Sequence, residues 1–144
     1  MNLVLFFSRG TSLSVWHDSG LLDRELAPYR KMLSHVDDIS FLTYDKALDR
    51  SFLKELGEIE VLNNRHYLPE DLFALMAPFL HRKKLSHASL FKTNQINGWW
   101  TAGFAKAIFK KPLIVRCGYL LSLDQERKGY GKLRNHFVSF LEKR

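Results

Sequence analysis

A polar loop between residues 8 and 20 holds the first groups in this sequence that could bind a charged ligand. It follows a short apolar run and ends at a glycine, after which a helix is expected to begin. A glycine before a helix lets a phosphate approach free backbone N–H groups at the positive end of the helix dipole. The loop contains neither a Gly-x-Gly-x-x-Gly motif nor a P-loop. An ordinary helix start, capped by Asp18 or Ser19, is the alternative interpretation.

Nucleophiles and metal ligands are few and are not spaced for catalysis. The six histidines show no His-x-x-x-His spacing with a carboxylate, and one cysteine cannot build a zinc site. Cys117 is either a thiol nucleophile or a small buried apolar residue, and the latter is favoured because no partner histidine is identifiable. His17 is either a binding or base residue of the loop or a solvated histidine. No metal is expected, and the catalytic residue stays unknown.

Three further polar residues stand next to predicted strand or helix ends. Arg116 closes a buried strand, where its guanidinium needs either a bound anion or a structural ion pair. Asn94 and Asn97 flank a helix start, and Asn97 is expected to cap that helix. These positions could contribute to a site only if the fold brings them together.

Five short apolar runs predict the sheet that would position these groups. The strands are expected at 2–7, 39–43, 59–62, 88–92 and 112–116. One helix is expected at 20–35. A second follows Pro69, with an apolar face of Leu72, Leu75, Met76, Phe79 and Leu80, and a third follows Asn97, with a buried face of Trp100, Phe104, Ala107 and Ile108. This alternation predicts an α/β, Rossmann-like open parallel sheet of order 3-2-1-4-5 with helices on both faces.

The carboxyl ends of the strands are the expected ligand edge of such a sheet. Polar residues follow every predicted strand there. They include Ser8, Arg9 and Gly10, then Tyr44 and Asp45, then Asn64 to His66, then Thr93 to Gln95, and finally Arg116 to Tyr119. This clustering is the strongest functional signal in the pattern.

Composition limits the class of protein. With 46% apolar and 26% charged residues, the chain is neither disordered nor collagen-like, and its single cysteine indicates a reducing compartment. No apolar run approaches the roughly 18 residues that cross a bilayer, so a cytoplasmic protein is expected. Residues 1–72 carry 8 basic and 12 acidic side chains, whereas residues 73–144 carry 14 and 3. The second half therefore attracts phosphates, nucleic acid, anionic lipid or an acidic partner.

Four stretches carry a resemblance to a known family. They are Phe-Phe-Ser-Arg-Gly-Thr-Ser-Leu at 6–13, Trp-His-Asp-Ser-Gly-Leu-Leu-Asp-Arg-Glu at 16–25, Lys-Thr-Asn-Gln-Ile-Asn-Gly at 92–98 and Lys-Pro-Leu-Ile-Val-Arg-Cys-Gly-Tyr at 111–119. In this order they resemble the amino-terminal domain of GT-B-fold glycosyltransferases, in particular bacterial family 4 members of surface polysaccharide pathways. The resemblance implies a sugar transferred from a nucleotide-sugar donor to a saccharide or lipid-linked acceptor, without a metal cofactor.

The same resemblance implies the roles of individual residues. Gly10, Ser19 and Gly20 would approach the donor phosphates, with Ser19 standing where the family has a glycine. The acceptor side of the cleft would include Arg9, His17, Asn94, Asn97, Arg116 and Tyr119. The acceptor identity, the donor sugar and the stereochemical outcome are not implied.

The resemblance also implies how the chain is divided. Residues 1–122 would form the acceptor-side domain, and 123–144 a basic amphipathic helix that starts the interdomain region, with Leu133, Phe137, Phe140 and Leu141 on one face. The donor-binding domain, with its Glu-x7-Glu motif, is missing, so the chain is expected to be inactive alone and to need that partner. Contact with the anionic inner membrane face is expected through Arg82, Lys83, Lys84, Lys106, Lys110 and Lys111, and a homodimer through exposed apolar surface.

Two rival interpretations remain. A stand-alone nucleotide- or anion-binding Rossmann domain would use the same sheet edge. A nucleic-acid-binding module would use the basic half, although no recognition motif accompanies it.

Overall fold

A central sheet of five parallel strands organises the molecule. A computed structural model describes residues 1–48 and 50–117. Its strands are β1 (Asn2–Phe6), β2 (Asp38–Leu42), β3 (Glu60–Leu62), β4 (Leu90–Thr93) and β5 (Leu113–Ile114). Their order is β3-β2-β1-β4-β5, which confirms the predicted α/β, Rossmann-like topology. The domain assigned to 123–144 lies outside the described residues.

Both faces of the sheet are covered by helices. The helices are α1 (Leu13–Asp18), α2 (Leu22–Met32), α3 (Arg50–Leu56), α4 (Glu70–Leu80), α5 (Arg82–His87) and α6 (Trp99–Phe109), with a 3-10 turn at Ile96–Gly98. Neighbouring β4 residues show the two layers, because successive side chains of a strand point to opposite faces. The ring of Phe91 contacts Phe109 of α6, whereas the Lys92 ammonium lies 3.1 Å from the Tyr29 hydroxyl of α2.

The core is centred on β1, whose residues from Leu3 to Phe6 are all apolar and buried, as expected for a strand covered on both sides. Leu5 of β1 pairs with Phe41 of β2 and with Lys92 of β4 in the parallel register. Phe41 is fully buried and its ring contacts Trp16 and Tyr29 of the first helical layer. The position of α1 and α2 is thus set by aromatic contacts to the central strands.

Two short helices correct the sequence prediction. The segment from 11 to 18, predicted as loop, contains α1, which begins because the Ser12 hydroxyl accepts from the Val15 N–H while Leu13 and Trp16 are buried. Two apolar residues make too short a pattern for a period to be recognised. The α5 helix, rich in lysine and arginine, buries only Leu85 and was not predicted at all.

The faces of the two longer apolar helices were predicted the wrong way round. The α4 helix buries Phe73, Ala77 and Pro78, and α6 buries Thr101, Ala102 and Ala105. The large side chains expected inside instead lie outward, except Leu80, which is partly buried and packs against the core. In α6, small residues face the sheet because this helix begins very close to β1. A Cβ on Gly98 would lie 3.2 Å from the Phe6 carbonyl oxygen.

Two single-residue expectations are also wrong. Gly98 occupies the N-cap position of α6, so no side chain caps this helix. Asn97, the expected cap, lies in the preceding 3-10 turn. Cys117 is exposed and not a buried apolar residue. By contrast, Pro78 is tolerated near the end of α4, which continues for only two residues beyond it.

Candidate functional site

A cleft opens at the carboxyl edge of the sheet, between the loops that follow β1 and β2 and the start of α4. Its volume is about 380 Å³. Hydroxyl groups and carboxylates predominate among its polar groups. The lining residues are Gly10, Thr11, Ser12, Ser14, Val15, Tyr44, Asp45, Lys46, Ala47 and Glu70. This is the edge at which parallel α/β sheets bind ligands.

The floor of the cleft depends on the Asp45 carboxylate. It accepts hydrogen bonds from the Leu13 N–H at 2.9 Å, from the Ser14 N–H at 3.3 Å and from the Thr43 hydroxyl at 2.6 Å. The first two donors belong to the first turn of α1. Backbone N–H groups in that turn have no partner within the helix, and they attract negative charge. A protein carboxylate therefore occupies the amino end of α1, and Asp45 is only 8% exposed.

Arg9 extends from the β1 loop to the first turn of α4. Its guanidinium lies 2.5 Å from the Asp71 carboxylate and 3.9 Å from that of Glu70. About half of the Arg9 side chain is exposed, so the contribution of these pairs to stability is modest. Arg9 thus lies beside the cleft, and its charge is already offset by two carboxylates.

Tyr44 joins the cleft to the second helical layer. Its hydroxyl lies 2.9 Å from the Thr101 hydroxyl of α6, and its ring packs edge-on against Phe73 of α4. Burial raises the pKa of the Tyr44 phenol, an effect that the bond to Thr101 only partly offsets. The phenol therefore stays protonated near neutral pH and acts as a hydrogen-bonding group rather than a base.

Asn94 lies where the strand order reverses, between β1 and β4. Its side-chain oxygen accepts from the Ser8 N–H at 2.9 Å and from the Ser8 hydroxyl at 3.0 Å. The residue is 2% exposed, and its amide nitrogen is buried with no hydrogen-bond partner among the described residues. In the described structure Asn94 connects two strand ends, a role the sequence did not distinguish from ligand binding.

Arg116 does not close a buried strand as expected, because β5 ends at Ile114, which is exposed, and about half of the Arg116 side chain is exposed as well. Its guanidinium lies 3.2 Å from the Glu25 carboxylate of α2, and its backbone N–H donates to the Thr93 hydroxyl. Burial tends to raise the pKa of Glu25, but Arg116 and Arg24 outweigh it and hold that pKa below its usual value. Tyr29 and Lys92 lie close by, and burial raises the pKa of Tyr29 to about 12.

Gly10 lines the cleft, but Ser19, Gly20, His17 and Asn97 do not. Gly10, with φ of +71°, precedes α1, whereas Ser19 and Gly20 follow its other end. The Ser19 hydroxyl donates to the Val15 carbonyl, and His17 is exposed beside Asp18 and the Phe52 ring. Asn97 is exposed in its turn, and Tyr119 lies outside the described residues. The three proposed phosphate-contacting residues are therefore divided between the two ends of a six-residue helix.

The cleft residues that the sequence left without a role are Thr11, Ser12, Ser14, Lys46 and Glu70. Asp45 was expected at this edge because it follows β2. Its hydrogen-bond donors could not be predicted, because they belong to α1, a helix that the apolar periodicity of the sequence did not indicate.

Metal-binding clusters and membrane spans were sought within residues 1–48 and 50–117. No group of three or more His, Cys, Asp or Glu side chains there is placed to hold a metal ion. No helix in the same part of the chain has the length and apolar character needed to cross a bilayer.

Comparison of the chain with protein-family models, with curated proteins and with solved structures found no match. The family resemblance of the four motifs is therefore not supported by any of these comparisons, and function is inferred from the geometry of the cleft.

Proposed function

We propose that this chain is the acceptor-side domain of a GT-B-type glycosyltransferase and that its cleft binds a saccharide acceptor. The observation that carries the proposal is the cleft of about 380 Å³ at the carboxyl edge, lined by hydroxyls and carboxylates. Its volume lies within the range of clefts that hold a small ligand.

The polar groups of the cleft favour a polyhydroxylated ligand over a phosphate. Hydroxyls of Thr11 and Ser14 have no hydrogen bond to other residues in the described part of the chain, so both can donate to and accept from a sugar hydroxyl. Glu70 adds carboxylate oxygens that can accept from sugar hydroxyls, and the Lys46 ammonium adds a donor. An acceptor sugar fits this chemistry better than a donor diphosphate.

The donor is proposed to be a nucleotide sugar held by a second domain or a partner protein. Gly10 lies apart from Ser19 and Gly20, and the first turn of α1 is already occupied by Asp45. Sugar transfer would then require both walls of a shared cleft. The residue that activates the acceptor hydroxyl is not assigned.

Titration of the chain with saccharides and with nucleotides would test the proposal. Calorimetry or saturation-transfer NMR should detect mono- or oligosaccharide binding that is lost in a Thr11→Ala, Ser14→Ala double variant. Loss of two hydrogen bonds of about 1 kcal/mol each lowers affinity roughly 30-fold. Ser34→Ala, which removes an exposed hydroxyl at the end of α2, is the matched control and should bind as the wild type does.

Other ligands would contradict this assignment. Binding of a nucleoside diphosphate with no response to saccharides would favour the stand-alone nucleotide-binding alternative. Strong, salt-sensitive binding of short RNA or DNA would favour the nucleic-acid alternative.

A further inference from the structure

Lys92 of β4 is a partly buried amine that contacts a phenol. Its ammonium nitrogen lies 3.1 Å from the Tyr29 hydroxyl of α2 and 4.8 Å from the centre of the Tyr29 ring. Tyr29 itself is only 2% exposed. Within residues 1–48 and 50–117, no carboxylate lies within ion-pair distance of this nitrogen. Lysine side chains are rarely removed from water without an acidic partner, so this position is unusual.

The charges gathered around Lys92 are mostly positive. The Arg116 guanidinium, just after β5, lies 3.2 Å from one oxygen of the Glu25 carboxylate of α2. The other oxygen of that carboxylate lies 3.0 Å from the Arg24 guanidinium. Glu25, the acid that acts on Lys92 in the described part of the chain, is therefore already held by two arginines. The cluster brings three positive charges against one negative charge.

This environment favours the neutral form of the amine. Burial lowers the pKa of Lys92 below 10.5, the positive charge of Arg116 lowers it further, and Glu25 opposes these effects only in part. Burial raises the pKa of the Tyr29 phenol to about 12, so the phenol stays protonated and adds no negative charge beside the amine. A lysine that is desolvated and lies next to another cation is the type that attacks carbonyl compounds as a free amine.

We propose that Lys92 is a carbonyl-reactive amine that captures small aldehydes bearing an anionic group, with Arg116 binding that group. About half of the Arg116 side chain is exposed, so its guanidinium can bind an anion from solvent while one of its nitrogens stays with Glu25. Lys92 keeps part of its own surface exposed as well. None of these residues lines the cleft, so the inference does not depend on the proposed sugar-binding function.

The reaction is a condensation that needs no oxidant or reductant. The lone pair of the neutral Lys92 nitrogen forms a bond to the carbonyl carbon, and one proton moves from the nitrogen to the carbonyl oxygen. The resulting carbinolamine loses its hydroxyl together with the second proton of the nitrogen, as water, so a C=N bond replaces the C=O bond. The Tyr29 hydroxyl, 3.1 Å from the nitrogen, holds the amine in place during these steps.

A cation–π contact with Tyr29 is the alternative explanation for this lysine. Such a contact stabilises the ammonium form of the side chain. The Arg116 charge acts against that form, and a structural ammonium would gain from a neighbouring acid and not from a second cation. The two explanations therefore differ in how much free amine is present at neutral pH, which chemical reactivity measures.

Reductive labelling of the full chain would test the reactivity. Succinic semialdehyde is added together with cyanoborohydride, which reduces the imine to a stable secondary amine, and peptide mass spectrometry then gives the rate at each lysine. We expect Lys92 to be labelled several-fold faster at pH 7 than exposed Lys31 and Lys54 in the same sample. The rate at Lys92 should level off at a pH below 10.5, the ordinary lysine value.

A matched pair of aldehydes would test the role of Arg116. Butanal has the same carbon chain without the carboxylate, so Lys92 should prefer succinic semialdehyde once both rates are normalised to Lys31. Arg116→Gln should lower that preference roughly 10-fold, through loss of a charge-assisted hydrogen bond. A change in the basicity of the amine affects both aldehydes and cancels from the ratio. Arg30→Gln, which removes an exposed arginine of α2 paired with Asp23, should keep the preference.

Two results would overturn the proposal. Labelling of wild-type Lys92 that is no faster than that of Lys31 at pH 7 would assign Lys92 to a structural cation–π contact. A preference for succinic semialdehyde that is unchanged in Arg116→Gln would exclude the anionic class of substrate. Circular dichroism of each variant separates a lost preference from lost folding.

Discussion

Asp45 shows how one side chain can hold several loops together around a cleft. Its carboxylate satisfies two N–H groups of α1 and the Thr43 hydroxyl, and its own backbone carbonyl accepts from the Asn64 N–H at 2.8 Å. The loops after β1, β2 and β3 thus all meet at one residue. The cleft keeps its shape because these bonds are internal to the protein.

Replacing Asp45 by alanine is therefore expected to destabilise the fold. Asp45→Ala removes an acceptor from the buried Leu13 N–H, the part-buried Ser14 N–H and the Thr43 hydroxyl, which costs about 1–3 kcal/mol, whereas Asp45→Asn retains one acceptor oxygen and should cost less. Urea denaturation measures both. Asp18→Ala, at an exposed acidic position on the same helix, should change the free energy of unfolding by less than about 0.5 kcal/mol. Equal effects of Asp45→Ala and Asp18→Ala would refute this role.

Residue identity alone did not reveal these assignments. Arg116 and Arg9 were correctly placed near strand ends, but their partners, Glu25 and Asp71, come from helices distant in sequence. Whether an arginine at such an edge binds a ligand or a protein carboxylate depends on tertiary placement, which composition and spacing do not contain.

At the scale of the element, the start of α6 depends on the absence of a side chain. Gly98 has φ of −76°, a conformation open to any residue, so its requirement is one of space. A Cβ there would lie 3.2 Å from the Phe6 carbonyl oxygen and 3.4 Å from that of Phe7. Backbone atoms cannot move aside as a flexible side chain can.

Two glycine substitutions on this element should have opposite signs. Gly98→Ala is expected to cost about 1–3 kcal/mol through overpacking against β1. Gly103→Ala meets only the Trp99 ring at 3.5 Å, an ordinary contact, and should stabilise the helix by about 0.5–1 kcal/mol because alanine loses less backbone entropy. Thermal or urea unfolding of the two variants compares them directly. Destabilisation by both in equal measure would argue against a specific contact at Gly98.

The helices also show where periodicity misleads. Strand order and all five strands were predicted, since buried parallel strands are continuous apolar runs bounded by polar residues. For α4 and α6 the period was right but the face was wrong, because the largest apolar residues were assumed to lie inward. Ala102 and Ala105 pack against the sheet instead. When a helix is apolar on two sides, its sequence pattern does not show which side is buried.

For the whole molecule, Lys84 ties one helical layer to the sheet. Its ammonium on α5 lies 2.7 Å from the Asp38 carboxylate at the start of β2 and 2.5 Å from that of Glu60 at the start of β3. Burial tends to lower the pKa of Lys84, but the two carboxylates outweigh it and raise that pKa above its ordinary value of 10.5. The amino edge of the sheet is held by this group, opposite to the cleft.

Lys84→Met should therefore lower stability by about 1 kcal/mol at neutral pH, since Glu60 is half exposed and the pair is partly screened. A raised lysine pKa gives a contribution that is complete below the unfolded value and is lost as pH rises through the folded value. The difference between wild type and variant should thus be constant from about pH 6 to 9, below the ordinary lysine pKa of 10.5, and shrink as the pH rises above that value. Urea midpoints across this range measure it, with exposed Lys83→Met as the control. A difference that grows in alkali would contradict the assignment.

The bonds from Asp45 to α1 have a further consequence for whatever occupies the cleft. Since the loop after β1 is already fixed to the loop after β2, an incoming molecule orders little additional chain. Little of the intrinsic affinity is then spent on immobilising the protein, so weak polar contacts suffice for binding. A rigid cleft of this kind selects its ligand by shape complementarity and does not fold around it.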